Sequence, residues 1–267
     1  MQKRHKNREQ YFREQTYTTE KYVIPFIEDV KRLTSKSKVL EIGCGEGGNL
    51  KPFLDRGCEC WGIDLSQTQI NNAEKFFASH PNRQKLKLIC ENIYTIQALP
   101  RFDCIVMRDV IEHIPNQEKF MGFLKSFIAP GGVVFFGFPP WQMPFGGHQQ
   151  VLKHKFLSKV PYFHLFPRSL YRLCLRAFGE TEGMINSRMD IKATGISIER
   201  FERIVKHENY RVEKRQFYLF NPNYEAKFSV KPRKQLSLIT HLPYVRNFFT
   251  TAMYYVLSQN TETEAKE

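Results

Sequence analysis

Residues 38–50 read KVLEIGCGEGGNL: a short apolar run, a turn with four glycines, and the first residues of a helical stretch, NLKPFLDRG (49–57). A strand that runs through glycines into a helix is how open α/β sheets cradle a nucleotide, because glycine lets the backbone turn sharply and approach the ligand closely. The pairing of strand and helix repeats outward from this point. ECWGID (59–64) reads as a strand, and Ser66 as the cap of a helix, QTQINNAEKFF. KLKLIC (85–90) and FDCIVM (102–107) are further apolar strands; NQEKFMGFLKSFI is a helix closed by Pro130-Gly131-Gly132, and VVFFGF (133–138) is a fifth strand. Short, nearly continuous apolar strands separated by helices indicate a parallel sheet covered on both faces, and their alternation makes the α/β fold doubly wound.

The alternation breaks at Pro139-Pro140. Residues 141–197 read as an insertion that is aromatic, basic and rich in histidine, and residues 198–258 as the rest of the same core. There SIERFERIVKHENY is a helix with Ile198, Phe201 and Val205 on one face, followed by a strand, RVEKRQFYLF, a basic loop over 221–246, and NFFTTAMYYVLS. No crossover helix joins the last two strands, so they are expected as an antiparallel hairpin at the sheet edge. Residues 1–37 form a lead-in whose helix spans 18–33, capped by Thr18 or Thr19, and 259–267 a polar tail.

The chain has 267 residues, enough for one α/β domain with insertions, and its 42% hydrophobic and 14% aromatic content suits a globular core. Its charged first residues precede no apolar run, and nowhere do eighteen apolar residues run together; neither a signal peptide nor a transmembrane helix is expected. The six cysteines contain no C-x-x-C pair, which points to reduced, buried thiols and a cytoplasmic setting. The net charge of +13 is uneven. Lys153, Lys155, Lys159, Arg168, Arg172 and Arg176 lie in a stretch without an acid, and no acid occurs from Lys227 to Thr261. Such segments suit an anionic partner: a phosphate-bearing substrate, lipid head groups or nucleic acid.

Gly43, Gly45 and Gly48 satisfy G-x-G-x-x-G, and Asp64 ends the next strand, placed for a ribose diol; both features also fit NAD. Glu41 discriminates. A carboxylate two residues before the first glycine sits poorly beside a pyrophosphate and suits a ligand carrying positive charge. Together VLEIGCGEGG, GIDLS, LPRFDCIVMRDVIEHI and APGGVVFFGFP are similar, in order and spacing, to the motifs of the class I S-adenosylmethionine-dependent methyltransferases, over residues 38–140 and again from 198. The resemblance implies a Rossmann-like, mostly parallel sheet of seven strands, an S-adenosylmethionine cofactor bound by the 38–140 core, and methyl transfer. It also implies that Glu41 orients the methionine end, that Gly43, Cys44 and Gly45 line it, and that Asp64, with Leu65 after it, binds the ribose. In CENI the acid usual after the third strand is replaced by Asn92, with Glu91 beside it; either meets the adenine, next to Ile93. Arg108 and Asp109 are expected to flank the transfer channel, and Tyr17 and Tyr22 to lie over the cofactor.

For the acceptor, FPPW (138–141) differs from the amino-group methylation motif in position and in its first residue, and reads as a stiff strand exit. DVIEH gives Asp109, Glu112 and His113, and the insertion supplies His148. This set is similar to the E-x-x-E-H plus later His of quinone-biosynthesis O-methyltransferases, with Asp109 in place of the first Glu. It offers a divalent cation site for Mg, or else His113 or His148 as a metal-free general base. RSLYRLCLRAF (168–178) reads as a lid helix with Leu170, Leu173, Cys174, Ala177 and Phe178 on one face and three arginines on another. With 155–167 it suits a membrane surface or a lipid-linked substrate. His154 and His164 are read as lid residues without a catalytic role. The expected activity is O-methylation of a small acceptor, anionic or lipid-linked, with peripheral membrane contact through 155–178. The alternatives are RNA methylation, for which no recognisable RNA-binding module accompanies the core, and a catalytically silent methyltransferase-like binding protein.

Overall fold

A computed structural model describes residues 7–260; the first six residues of the lead-in and the tail from 261 lie outside the described residues. The strands are β1 (Lys38–Ile42), β2 (Glu59–Asp64), β3 (Leu86–Cys90), β4 (Phe102–Arg108), β5 (Ile128–Phe138), β6 (Tyr210–Phe220), β7 (Arg233–Lys234) and β8 (Ala252–Gln259). They form one sheet in the order β3-β2-β1-β4-β5-β8-β6-β7, with β1 to β5 parallel and the last three pairings antiparallel. The fold is therefore Rossmann-like, with eight strands where the motif spacing predicts seven. The additional one is the two-residue edge pairing of β7, too short to leave a hydrophobic alternation. The antiparallel pairing of β6 with β8 is as expected, but β8 lies inside the sheet between β5 and β6.

The helices include α1 (Arg8–Thr18), α2 (Ile24–Glu28), α3 (Lys51–Asp55), α4 (Gln67–Phe77), α5 (Gln117–Leu124), α6 (Arg168–Ala177), α7 (Glu182–Thr194), α8 (Ile198–His207) and α9 (Asn223–Phe228), with two shorter ones at Ser237–Thr240 and Val245–Phe249. α1 starts ten residues before the predicted helix because Asn7 caps it, its Oδ1 accepting from Gln10 N at 3.0 Å. A π-helical turn, Thr19–Val23, joins it to α2, so Thr18 and Thr19 lie mid-run and not at a start. Ser66 caps α4 as expected, its Oγ accepting from Gln69 N at 3.4 Å.

Adjacent strand residues go to opposite faces, which is why the strands read as unbroken apolar runs. Leu40, Ile105, Phe136 and Tyr255 join one buried layer with Phe120 and Phe201. Their neighbours Val39, Val106, Phe135 and Tyr254 join the other with Phe26 and Phe53. Each such buried side chain contributes roughly 1.5–3 kcal/mol. Cys44, Cys58, Cys60 and Cys104 are buried in these layers and all six cysteines are free.

Residues 141–197 build a layer of their own. Trp141 N donates to Ile196 O at 2.8 Å, closing the neck of the insertion. Leu152, Leu157, Phe163, Tyr171, Leu175, Ile185 and Met189 form a small separate core. One expectation needs correcting here: α6 packs through Tyr171 and Leu175, whereas Leu170, Leu173, Ala177 and Phe178 face solvent. Apolar residues occupy two sides of this helix, and the lid core selects the side carrying the large aromatic ring. Among the described residues no helix is long and apolar enough to cross a membrane.

Candidate functional site

Strand order reverses between β1 and β4, and the glycine turn leaves β1 at that point, where open α/β sheets bind ligands. Gly43 (φ +70°) and Gly45 (φ +55°) are left-handed. A Cβ on Gly43 would come within 2.5 Å of Val110 Cγ2, so the turn passes against the end of β4 with no room for a side chain. Gly43 N and Cys44 N donate to Ile63 O, and Gly45 N donates to Asp64 Oδ2 at 2.8 Å. Asp64 Oδ1 accepts from Ser66 N at 2.8 Å; two contacts leave this carboxylate with acceptor capacity. Cys44 turns its side chain into the core, so it offers backbone only.

Glu41 is the penultimate residue of β1 and is buried. Its Oε1 accepts from Asn49 Nδ2 at 2.6 Å, while its Oε2 is buried without a partner. Burial pushes its pKa up to about 8, against the opposing pull of Asn49 and Arg108. Arg108 is buried and turned away from solvent: its Nη1 donates to Asn49 Oδ1 at 2.7 Å and to Thr19 Oγ1 at 3.2 Å. The network runs Thr19–Arg108–Asn49–Glu41 and fixes the carboxylate from behind.

Leu65, 75% exposed, follows Asp64, and Ile93 is buried beyond β3. Between them Glu91 Oε1 accepts from Thr95 Oγ1 at 2.9 Å and Asn92 Oδ1 accepts from Tyr94 N at 3.1 Å; both side chains are exposed. Asn49, Thr19 and Tyr11 are additions that sequence reasoning missed. Tyr11 borders a cleft with Gln15, Arg108, Asp109, Asn223 and Lys227, and burial raises its hydroxyl to about 12. By contrast Tyr17 is exposed and Tyr22 donates to Glu225. α1 crosses the glycine turn, Thr16 Oγ1 donating to Gly48 O at 3.0 Å, and no short motif in α1 announces that contact.

Past β4, Asp109 is left-handed (φ +56°) and exposed, its N donating to Gly137 O at 2.8 Å. Ile111–His113 form a 3-10 turn, in which successive side chains point about 120° apart. Glu112 therefore points inward and is buried with Oε2 unpartnered, while His113 points out. Burial first, then Asp109, raises the Glu112 carboxyl well above the usual range. His148 comes in from the insertion, with Nε2 3.1 Å from His113 Nε2. Although the residue is exposed on its outer side, desolvation of the His113 ring where it packs lowers its pKa; Asp109 opposes that and Arg188 reinforces it. The two histidines thus meet, but Glu112 does not join them, and no group of three or more metal-ligating side chains forms among the described residues. His164 is buried with Nε2 2.7 Å from Trp141 O, in the lid as expected, and burial lowers its pKa to about 4.

The described geometry is matched by comparison with known proteins. A family model described as a methyltransferase domain matches residues 12–179, and the chain belongs to that family, within the class I S-adenosylmethionine-dependent methyltransferases. It is 30% identical over 99 residues to the ubiquinone biosynthesis O-methyltransferase of Azoarcus sp., covering 37% of this chain and 42% of that one. The chain thus spans under half the length of the curated O-methyltransferases it matches. An S-adenosylmethionine-dependent methyltransferase from Clostridium acetobutylicum has the same fold at a TM-score of 0.55 and 14% identity, over 91% of this chain and 92% of that one. So does geranyl diphosphate C-methyltransferase from Streptomyces coelicolor, at 0.55 and 12%, over 88% and 77%. The residues present fit the cofactor of this class. An unpartnered buried carboxylate oxygen suits an ammonium, and Asp64 retains capacity for a diol.

Proposed function

We propose that the protein methylates an oxygen of a small acceptor held between the core and the lid. In this reading Glu41 Oε2 receives the cofactor's ammonium, the Gly43–Gly45 backbone lines its methionine end, and Asp64 accepts from the ribose. Leu65 and Ile93 border the adenine, with Glu91 or Asn92 at its edge. Arg108 acts from behind, through Asn49, and Asp109 stands at the channel. When bound, S-adenosylmethionine supplies a methyl group on an electron-poor sulfonium, and displacement there needs chiefly alignment. The His113–His148 pair takes the acceptor's hydroxyl proton, one ring nitrogen accepting while the other ring shares the charge.

The observation that carries this reading is the 3.1 Å contact between one histidine from the core and one from the lid, beside the end of β4. Relatives named as O-methyltransferases support oxygen as the acceptor atom. The test is release of S-adenosylhomocysteine across phenols, catechols, hydroxybenzoates and lipid-linked hydroxyl compounds. Turnover with an amine and with none of these would overturn the oxygen assignment.

A lipid-linked acceptor is supported by the lid surface. Phe156 (65% exposed), Leu173 (62% exposed), Leu170 and Phe178 are exposed in the same lid segment that carries Lys155, Lys159, Arg168 and Arg172. Tyr162 Oη donates to Phe248 O at 3.1 Å, joining this surface to a segment where Leu236, Leu238 and Tyr244 are exposed. Exposed apolar side chains in a basic segment suit an anionic membrane surface. The protein is expected to float with phosphatidylglycerol vesicles and not with phosphatidylcholine vesicles, and the double variant Leu170→Glu, Leu173→Glu to stay behind. Equal behaviour on the two vesicle types would remove the membrane contact.

A further inference from the structure

Arg188 lies on α7, in the lid, and is only 5% exposed. Its Nε is buried without a partner, and its guanidinium makes no ion pair or hydrogen bond with the described residues. A buried guanidinium without a counter-charge is costly, and a folded chain that retains one generally has a ligand or function to explain it. Two further observations say what lies around it. α7 packs on the turn that carries His113, with Thr194 Oγ1 donating to Glu112 O at 2.6 Å, and the charge of Arg188 is felt at the His113 ring. Its other neighbour is Tyr171, fully buried on α6, whose hydroxyl also lacks a partner. Glu180 balances part of the charge without pairing with it, and its Oε1 is committed to Lys153 N at 2.6 Å and His154 N at 3.3 Å. A guanidinium presents donors in a planar fork that matches an oxyanion, and a tyrosine hydroxyl adds one more.

We propose that Arg188, with the Tyr171 hydroxyl, anchors an anionic group of the methyl acceptor, a carboxylate or a phosphate monoester, and so holds the acceptor's hydroxyl against the His113–His148 pair. The inference rests on the reading of that pair as the base beside the transferred methyl. It narrows the acceptor to one that carries its negative charge on the side facing the lid and its hydroxyl on the side facing the core.

The test is thermal unfolding and histidine-ring NMR of the full chain with S-adenosylhomocysteine, adding benzoate, phenyl phosphate or neutral benzyl alcohol. Benzoate or phenyl phosphate is expected to raise the melting temperature and shift the His113 and His148 signals. The larger effect of the two tells carboxylate from phosphate, and benzyl alcohol does neither. In Arg188→Met both responses vanish, in Arg188→Lys they persist in weakened form, and S-adenosylhomocysteine binds all three proteins alike. Because the guanidinium has no protein partner, Arg188→Met without ligand keeps or exceeds the wild-type melting temperature. A clear drop there makes Arg188 a structural strut and overturns the proposal, as does an anion response that Arg188→Met retains. If S-adenosylhomocysteine binds but neither anion acts on the wild type, the anchor is wrong. If the anions act through Arg188 while S-adenosylhomocysteine fails to bind, the anchor stands and the cofactor reading falls.

Discussion

Gly43→Val is expected to weaken S-adenosylhomocysteine binding by roughly two to four orders of magnitude, while Gly179→Ala leaves it unchanged. Both glycines are left-handed, Gly43 at φ +70° and Gly179 at φ +79°. They differ in what surrounds them: a Cβ on Gly43 would meet Val110 Cγ2 at 2.5 Å, whereas one on Gly179 meets nothing within 4 Å. A β-branched residue at Gly43 costs about 1–3 kcal/mol in backbone strain and about 1–3 kcal/mol more in overpacking between β1 and β4. The turn relieves that strain by moving, and it is the turn whose backbone would face the cofactor; a shift worth about 1.4 kcal/mol is tenfold in affinity. Gly179→Ala bears the backbone cost alone, in the lid, and registers as a modest fall in melting temperature.

The second large effect falls on the histidines. His113→Ala and His148→Ala are each expected to lower kcat by roughly 10²–10⁴, with S-adenosylhomocysteine affinity changed less than about twofold. The separation of the two effects follows from their placement, since neither ring belongs to the Glu41–Asn49–Arg108 network or to the glycine turn. The pH profile follows from the direction of the His113 shift. Desolvation of the ring lowers its pKa from 6.5, so the neutral, proton-accepting form dominates at pH 7 and activity falls only as pH drops below that value. Assayed on the best acceptor of the panel, an acid limb above pH 7, or full kcat in both variants, would contradict the assignment of the base.

The sheet and the glycine turn were legible because hydrophobic periodicity and glycine placement are local signals: Gly43, Asp64 and the first four parallel strands stand where the sequence puts them. β5, by contrast, begins five residues early, at Ile128, and takes Pro130-Gly131-Gly132 into a register shift against β4 instead of ending a helix there. What failed to show was tertiary. Tyr11 reaches the cleft beside Arg108 and Asp109 from α1, and no spacing relates it to the motifs. The exposed face of α6 could not be told from its buried face, since both carry leucines and only contact with Phe163 and Ile185 chooses between them. Asp109, Glu112, His113 and His148 looked like one ligand set because spacing ignores the 3-10 geometry that turns Glu112 inward.

Cofactor binding is tested most directly by calorimetric titration with S-adenosylhomocysteine, against NAD, on wild type and Asp64→Ala. Binding on the order of micromolar is expected for S-adenosylhomocysteine on wild type, lost in Asp64→Ala, with none for NAD. The buffer dependence of the heat carries a second signature. With its pKa raised to about 8, the Glu41 carboxyl holds a proton at pH 7, and an ammonium beside Oε2 would favour the carboxylate. Binding is therefore expected to release a proton near pH 7 and to cease releasing one above pH 8, where Glu41 is already ionised. Tight NAD binding, or S-adenosylhomocysteine affinity indifferent to Asp64, would contradict the account.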